Sequence, residues 1–141
     1  MRDFIVLRVV AKFVLPFILL FGLYVQMHGE ITPGGGFQSG VVISCAFILY
    51  GLIYGLHAAQ HVFPRWLCIR LSALGLLLYA GVGLATLLEG GELLNYSILS
   101  DSPISGQHIG IWLVELGVCL TVSNVMVLIY YGFASHKMRI R

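Results

Sequence analysis

Charge is scarce in this sequence. Of its 141 residues 8 are Lys or Arg and 6 are Asp or Glu, together 10%, where an average soluble domain carries about 25%. A chain this short cannot hide most of its surface. With 59% hydrophobic residues and a mean hydropathy of +0.95, that surface is apolar, and lipid is the solvent that suits it. No stripe of Lys and Arg exists to follow a phosphate backbone, which excludes nucleic acid as a partner. Cysteine is rare and scattered: Cys45, Cys68 and Cys119 are odd in number and lack C-x-x-C spacing, which excludes a disulfide framework or a zinc site and leaves small apolar packing residues. No apolar run alternates with period two, so a membrane β-barrel is excluded. No A-x-A-like exit follows the first apolar run, Phe4–Met27, which is also too long for a signal-peptide core and reads as a retained span. The inverted repeats that mark secondary transporters are absent as well.

What is there is four long apolar runs. Crossing about 30 Å of hydrocarbon takes roughly 20 helical residues at 1.5 Å each. The runs meet that length at about 5–27, 39–59, 66–88 and 107–133. The expected fold is all-α, a single membrane domain over 1–141 built as an integral membrane bundle of four transmembrane helices. Lys12 lies a turn inside the first span, where its ammonium snorkels back to the interface. Pro64 and Arg65 separate the second span from the third. The longest stretch between spans, 89–107, has a loop composition, with a short interfacial turn over Leu93–Leu99.

The basic residues set an orientation. Arg2, Arg8 and Lys12, then Arg65 and Arg70, then Lys137, Arg139 and Arg141 all fall on one side of a four-span chain. The positive-inside rule makes that side the cytoplasm, with both termini and the middle connection there. The other two connections carry Glu30, Glu89, Glu92 and Asp101. Tyr24, Trp66, Tyr130 and Tyr131 sit at the interfaces, as aromatic belts do.

Small residues recur at spacing four: Gly51, Gly55 and Ala59 in the second span, Gly81 and Ala85 in the third. In lipid, close backbone approach through small residues draws helices together. The stripe serves packing within the chain or against other subunits, and the residues alone do not choose. Pro16 cannot donate a hydrogen bond, so the Lys12 carbonyl is freed and a kink is expected. The most distinctive segment joins the first two spans: His28-Gly29-Glu30-Ile31-Thr32-Pro33-Gly34-Gly35-Gly36-Phe37-Gln38. Proline followed by three glycines forbids helix and permits left-handed backbone. It lacks the strand and the Lys-Ser/Thr of a phosphate-binding loop.

This segment closely resembles the signature of the MnhB family, a small-subunit family of the Mrp-type (multiple resistance and pH) Na⁺/H⁺ antiporters. The resemblance continues through Gly106-Gln107-His108-Ile109-Gly110, then Glu115-Leu116-Gly117-Val118 and Thr121-Val122. It covers nearly the whole chain, and length and helix number fit. Thr32 stands where the family favours Ser, and Ser39 at a variable small position. The resemblance implies a small subunit of a hetero-oligomeric antiporter whose pumping subunits are related to those of respiratory complex I. Such a complex exchanges cytoplasmic Na⁺ for external H⁺ across the cell membrane and supports pH and salt homeostasis. Pro33, Gly34, Gly35, Gly36, Phe37 and Gln38 are then a subunit-contact motif. Related small subunits of membrane-bound hydrogenase-type complexes give a second context.

Glu115 is the one acid inside an expected span, and a carboxylate there must face protein or water, pair, or be protonated. His108, seven residues earlier, shares its helical face. The two form a proton relay or cation site, or Glu115 is a packing residue satisfied by a neighbouring subunit. His28 and Glu30 join them as candidates on the same side. A third reading uses histidine for haem: His28 and His108 at matched depth would ligate it, whereas His57 and His61 share one helix. The expected chain has no enzymatic activity, cofactor or metal of its own.

Overall fold

The computed structural model describes residues 5–29, 33–90, 94–99 and 102–139. Among them are five α-helices, α1 (Ile5–Met27), α2 (Gly36–Tyr54), α3 (Leu56–Val62), α4 (Arg65–Leu88) and α5 (Pro103–Arg139), with a short 3-10 turn over Tyr96–Leu99. Four of them, α1, α2, α4 and α5, are long and apolar enough to cross a membrane. The chain is a multi-pass membrane protein.

The long helices stand in a row, α1–α2–α5–α4, with α5 touching α2 on one flank and α4 on the other. α1 leans on α2 and barely reaches α5. Only 11% of the apolar window of α1 is buried within the chain, against 39% for α2, so α1 is an outer helix. The core lies at the end of the row where α3 turns under: Leu56, Ala59, Cys68, Val127 and Tyr131 are buried there, and the Phe47 and Phe63 rings stack beside them at 4.5 Å.

In hydrocarbon a polar group must be satisfied inside the protein. Ser44 and Thr86, both fully buried, return their hydroxyl protons to the carbonyls of Val41 (2.7 Å) and Gly83 (2.9 Å) in the preceding turn. Four side chains instead tie one element to another. The Tyr54 hydroxyl donates to the Arg8 carbonyl (2.9 Å) and Ser39 Oγ to Gln26 Oε1 (2.6 Å), joining α2 to the two ends of α1. Thr121 Oγ1, 2.9 Å from the Gly117 carbonyl of its own helix, also lies 3.3 Å from the Ser72 carbonyl of α4, and Tyr131 donates to the Phe63 carbonyl (2.8 Å) in the turn before α4.

Four boundaries differ from those expected: α2 begins at Gly36 instead of 39 and stops short of 59, and the last helix begins before 107 and runs past 133 to Arg139. The second span ends at Tyr54 because Gly55 takes φ 96°, ψ 159°, a conformation open to glycine alone; α3 follows as a separate short helix. Gly55 therefore breaks the small-residue stripe instead of extending it. The last helix begins at Pro103, well before 107. Proline is favoured at a first helical position because its missing N–H would be unpaired there anyway. Ser102 caps it, with Oγ accepting from the Ser105 N–H at 3.3 Å.

Other small residues act by proximity. A methyl built on Gly51 lies 2.7 Å from the Tyr130 ring; one on Gly75 lies 2.5 Å from Thr121 Oγ1 and 2.6 Å from the Gly117 carbonyl. At Gly81 an added methyl meets nothing within 4 Å, and Ala85 is half-buried. Gly75→Ala should thus cost about 1–3 kcal/mol, the usual penalty of overpacking, whereas Gly81→Ala should be neutral or stabilising by up to about 1 kcal/mol. Unfolding of the detergent-solubilised chain by dodecyl sulfate, followed by circular dichroism, measures both. Equal stability of the two variants would refute backbone contact between α4 and α5.

Candidate functional site

The Gly-rich connection folds onto α5 at one residue. Gly36 opens α2 so close to α5 that a methyl group there would overlap the Glu115 carbonyl. Gly29, at the end of α1, faces the Glu115 side chain: a methyl on it would stand 2.7 Å from Oε2 and 3.2 Å from Oε1, and one on Gly35 would stand 3.2 Å from Oε1. The Glu115 carboxylate is thus held between the backbones of Gly29 and Gly35. Three glycines are needed because three segments of main chain meet around one acid. Gly35 has a second reason, since its φ of 155° with ψ −173° lies in a region that side chains exclude.

Beside the carboxylate is a cavity of about 470 Å³, walled by Gln26, Gly29, His108, Trp112 and Glu115 with apolar neighbours. His108 is exposed and Glu115 half-buried. Both line this one wall, as their seven-residue spacing requires of a helix. The cavity has room for several waters at about 30 Å³ each. A carboxylate, an imidazole and an amide around such a space can hold a cation or pass a proton between them.

Gln26 is not among the site residues that the sequence singles out. It is 3% exposed, its Oε1 receives Ser39 Oγ, and its Nε2 is buried without a hydrogen-bond partner. Ser39 Oγ also lies 3.0 Å from the Gly36 carbonyl, yet a hydroxyl has one proton to donate. Turning the amide end for end lets Nε2 donate to Ser39 while Ser39 donates to Gly36, and frees Oε1 as an acceptor. The signal in the sequence is a lone amide one turn from the end of an apolar helix.

The other expected site residues are spread around this centre. The His28 ring stacks on Tyr24 at 4.3 Å, with Nδ1 3.1 Å from the Tyr24 carbonyl. Glu30 lies outside the described residues, as do Ile31 and Thr32. Pro33 is exposed and Gly34 sits over Val25. Phe37 is 63% exposed and Gln38 is exposed, both on the surface of α2.

The second loop closes the same end of the row. The Tyr96 ring lies so close to Gly110 that a methyl there would overlap it, and the Tyr96 carbonyl faces Gly106 at 2.5 Å from where a methyl would stand. The small pair four residues apart is a seat for the 3-10 turn. Burial, with a smaller effect from Tyr79, pushes the Tyr96 phenol up from its ordinary value. Asn95 Oδ1 accepts from Gln107 Nε2 (3.2 Å) and from Ser97 Oγ (2.7 Å).

Residues 6–128 match the model of a family described as a domain related to the MnhB subunit of Na⁺/H⁺ antiporter. The chain belongs to this family. Two relatives share the name "Putative antiporter subunit mnhB2". The one from Staphylococcus haemolyticus (strain JCSC1435) is 33% identical over 139 residues, and the one from Staphylococcus aureus (strain Newman) is 35% identical over 136 residues. In each case 94% of this chain and 96% of the relative are covered. The residues that carry the family resemblance, the Gly-rich connection and the Glu115 stretch of α5, are the two segments that meet in space here.

A methyl at Gly36 has only the α5 backbone to move, while one at Gly34 meets the end of the Val25 side chain at 3.1 Å. We expect Gly36→Ala to reduce the assembled complex on a native gel several-fold and Gly34→Ala to change it little, as overpacking by about 1–3 kcal/mol is felt where backbone must yield. Normal assembly of the Gly36 variant would show that the turn does not depend on its seat against Glu115.

Proposed function

We propose that this chain is a small membrane subunit of a Na⁺/H⁺ antiporter and that Glu115 lies on the route by which protons or cations pass. The antiporter assignment rests on membership of the MnhB family and on relatives matched from end to end; it is favoured over a hydrogenase-type complex and over a haem-binding bundle. Other subunits of the complex are its partners, and the chain has no enzymatic role of its own. The observation that supports Glu115 is its surroundings: the one acid in a membrane-length helix, set between two glycine backbones, sharing a cavity with His108 and Gln26. A packing acid needs a partner but no cavity, and an intramembrane ionisable group is a functional candidate by default.

Glutamine keeps the shape and hydrogen-bonding capacity of Glu115 but cannot ionise. Glu115→Gln should therefore assemble normally while antiport falls by about tenfold or more or its pH optimum moves, the scale of effect expected for a group that relays protons. Everted-vesicle antiport across a pH series, normalised to complex on a native gel, reads this. Full activity with an unchanged pH profile would remove Glu115 from the mechanism and leave the subunit assignment standing.

The side assignment follows from charge. Arg8, Lys12, Arg65 and Arg70 are all at the end of the row opposite the Gly-rich turn, and the positive-inside rule puts that end in the cytoplasm. With the native cysteines replaced, a cysteine at exposed Ser102 should react with an impermeant maleimide in intact cells and one at exposed Ser135 should not. Labelling at Ser135 reverses the orientation.

A further inference from the structure

Away from this site, at the start of α1, two cations share one helical face with no acid beside them among the described residues. Arg8 and Lys12 are four residues apart and line a cavity of about 350 Å³ with Ile5, Val9 and Tyr54. The Arg8 guanidinium lies over the Tyr54 ring at 5.3 Å, and its Nε is buried without a hydrogen-bond partner. The Tyr54 hydroxyl gives its proton to the Arg8 carbonyl, which fixes the ring and so the guanidinium above it. The described acids, Glu89 and Glu115, belong to the other end of the row. Arg8 is half-buried and Lys12 exposed; two like charges four residues apart on a helix repel, and with the buried Arg8 Nε unpaired they call for an anion.

A second cavity continues from the first. It holds about 360 Å³ and shares Lys12, and its remaining walls are apolar, among them Leu15, Pro16, Leu19, Phe47 and Tyr50. From Lys12 to Leu19 the groove runs about 10 Å along α1 toward the middle of the span. Pro16 lines this wall and offers no N–H to bond the Lys12 carbonyl.

We propose that this groove between α1 and α2 is a binding site for one anionic phospholipid. The phosphate sits on Arg8 and Lys12, and an acyl chain lies along Leu15, Pro16, Leu19 and Phe47. Cations at the mouth and an apolar trench behind them match a molecule with a charged head and a hydrocarbon tail. A free phosphate would use the mouth and leave the trench, so the continuity of the two favours lipid. Arg8 supplies a planar fork for two phosphate oxygens, and Lys12 a mobile point charge. The inference depends neither on the ion-path reading nor on which side of the membrane this end faces.

The test keeps the chain in its complex. Benzoyl-phenylalanine replaces Leu15, the complex is reconstituted in vesicles of equimolar phosphatidylglycerol and phosphatidylcholine, and after illumination the mass of the chain shows what was captured. We expect phosphatidylglycerol to be captured in preference by about thirtyfold, the scale of two basic residues at a membrane surface. The preference should fall to about one in R8Q/K12Q and persist in R8K/K12R, which also controls for folding. Equal capture of both lipids, or an undiminished preference in R8Q/K12Q, would overturn the site. So would capture of a neighbouring subunit, which would make the groove a protein seam. A preference abolished by inorganic phosphate but not by chloride of equal ionic strength would assign the cations to free phosphate. Asp3 lies outside the described residues; a preference absent from the native chain and gained only in D3N would make it the resident counter-charge and refute the lipid.

Discussion

Helix α5 is met by glycine on both flanks. Gly36 and Gly40 of α2 lie against the carbonyls of Glu115 and Cys119, and Gly75 of α4 lies against the carbonyl of Gly117. All of this falls within about two turns of one helix. Apolar burial gives no reason for helices to associate in lipid, so attraction must come from packing at short range and from polar groups that find each other. Where three backbones approach this closely, every side chain around them is placed as a result. The Glu115 carboxylate, the turn that covers it and the hydroxyl of Thr121 toward Ser72 all take their positions from that contact.

Much of this is legible in the residues. Four spans follow from length and hydropathy, because a helix that must cross hydrocarbon has little freedom in either. The family is legible in the Gly-rich connection and in the Glu115 stretch. What cannot be read is that these two meet, since no local rule relates positions 29, 35 and 36 to position 115. The break at Gly55 is hidden for a related reason: a glycine in an apolar run at spacing four looks the same whether it packs a helix or ends one. Ser102 and Pro103 mislead in the other direction. Both count as loop composition, whereas Ser before Pro is also how a helix starts. Gln26 escapes notice because one amide in an apolar run is easily satisfied, and only its buried, unpaired end marks it out.

Polar atoms left over after internal pairing mark where the chain faces something else. Among the described residues one end of the Gln26 amide, whichever way it is turned, is left over beside the Glu115 cavity, and Arg8 Nε at the cationic groove. The third, Asn124 Oδ1, lies in the middle of α5, where the amide nitrogen is bonded to the Leu120 carbonyl at 2.7 Å. Among the described residues these three positions stand out from the rest.

α1 ends and α2 begins at the level of Glu115, yet α5 runs on from there to Pro103, twelve residues or about 18 Å farther. The row therefore has a step in its profile. On the α4 side the protein is tall; on the α1 side it is short, and above the shoulder Ile104, Ile109 and Trp112 stand exposed. A bilayer of uniform thickness cannot match both heights at once, and bending it to follow the step costs a fraction of a kcal/mol for each ångström of mismatch. That cost vanishes when a neighbour fills the notch, so the uneven height of this subunit is itself a force toward assembly.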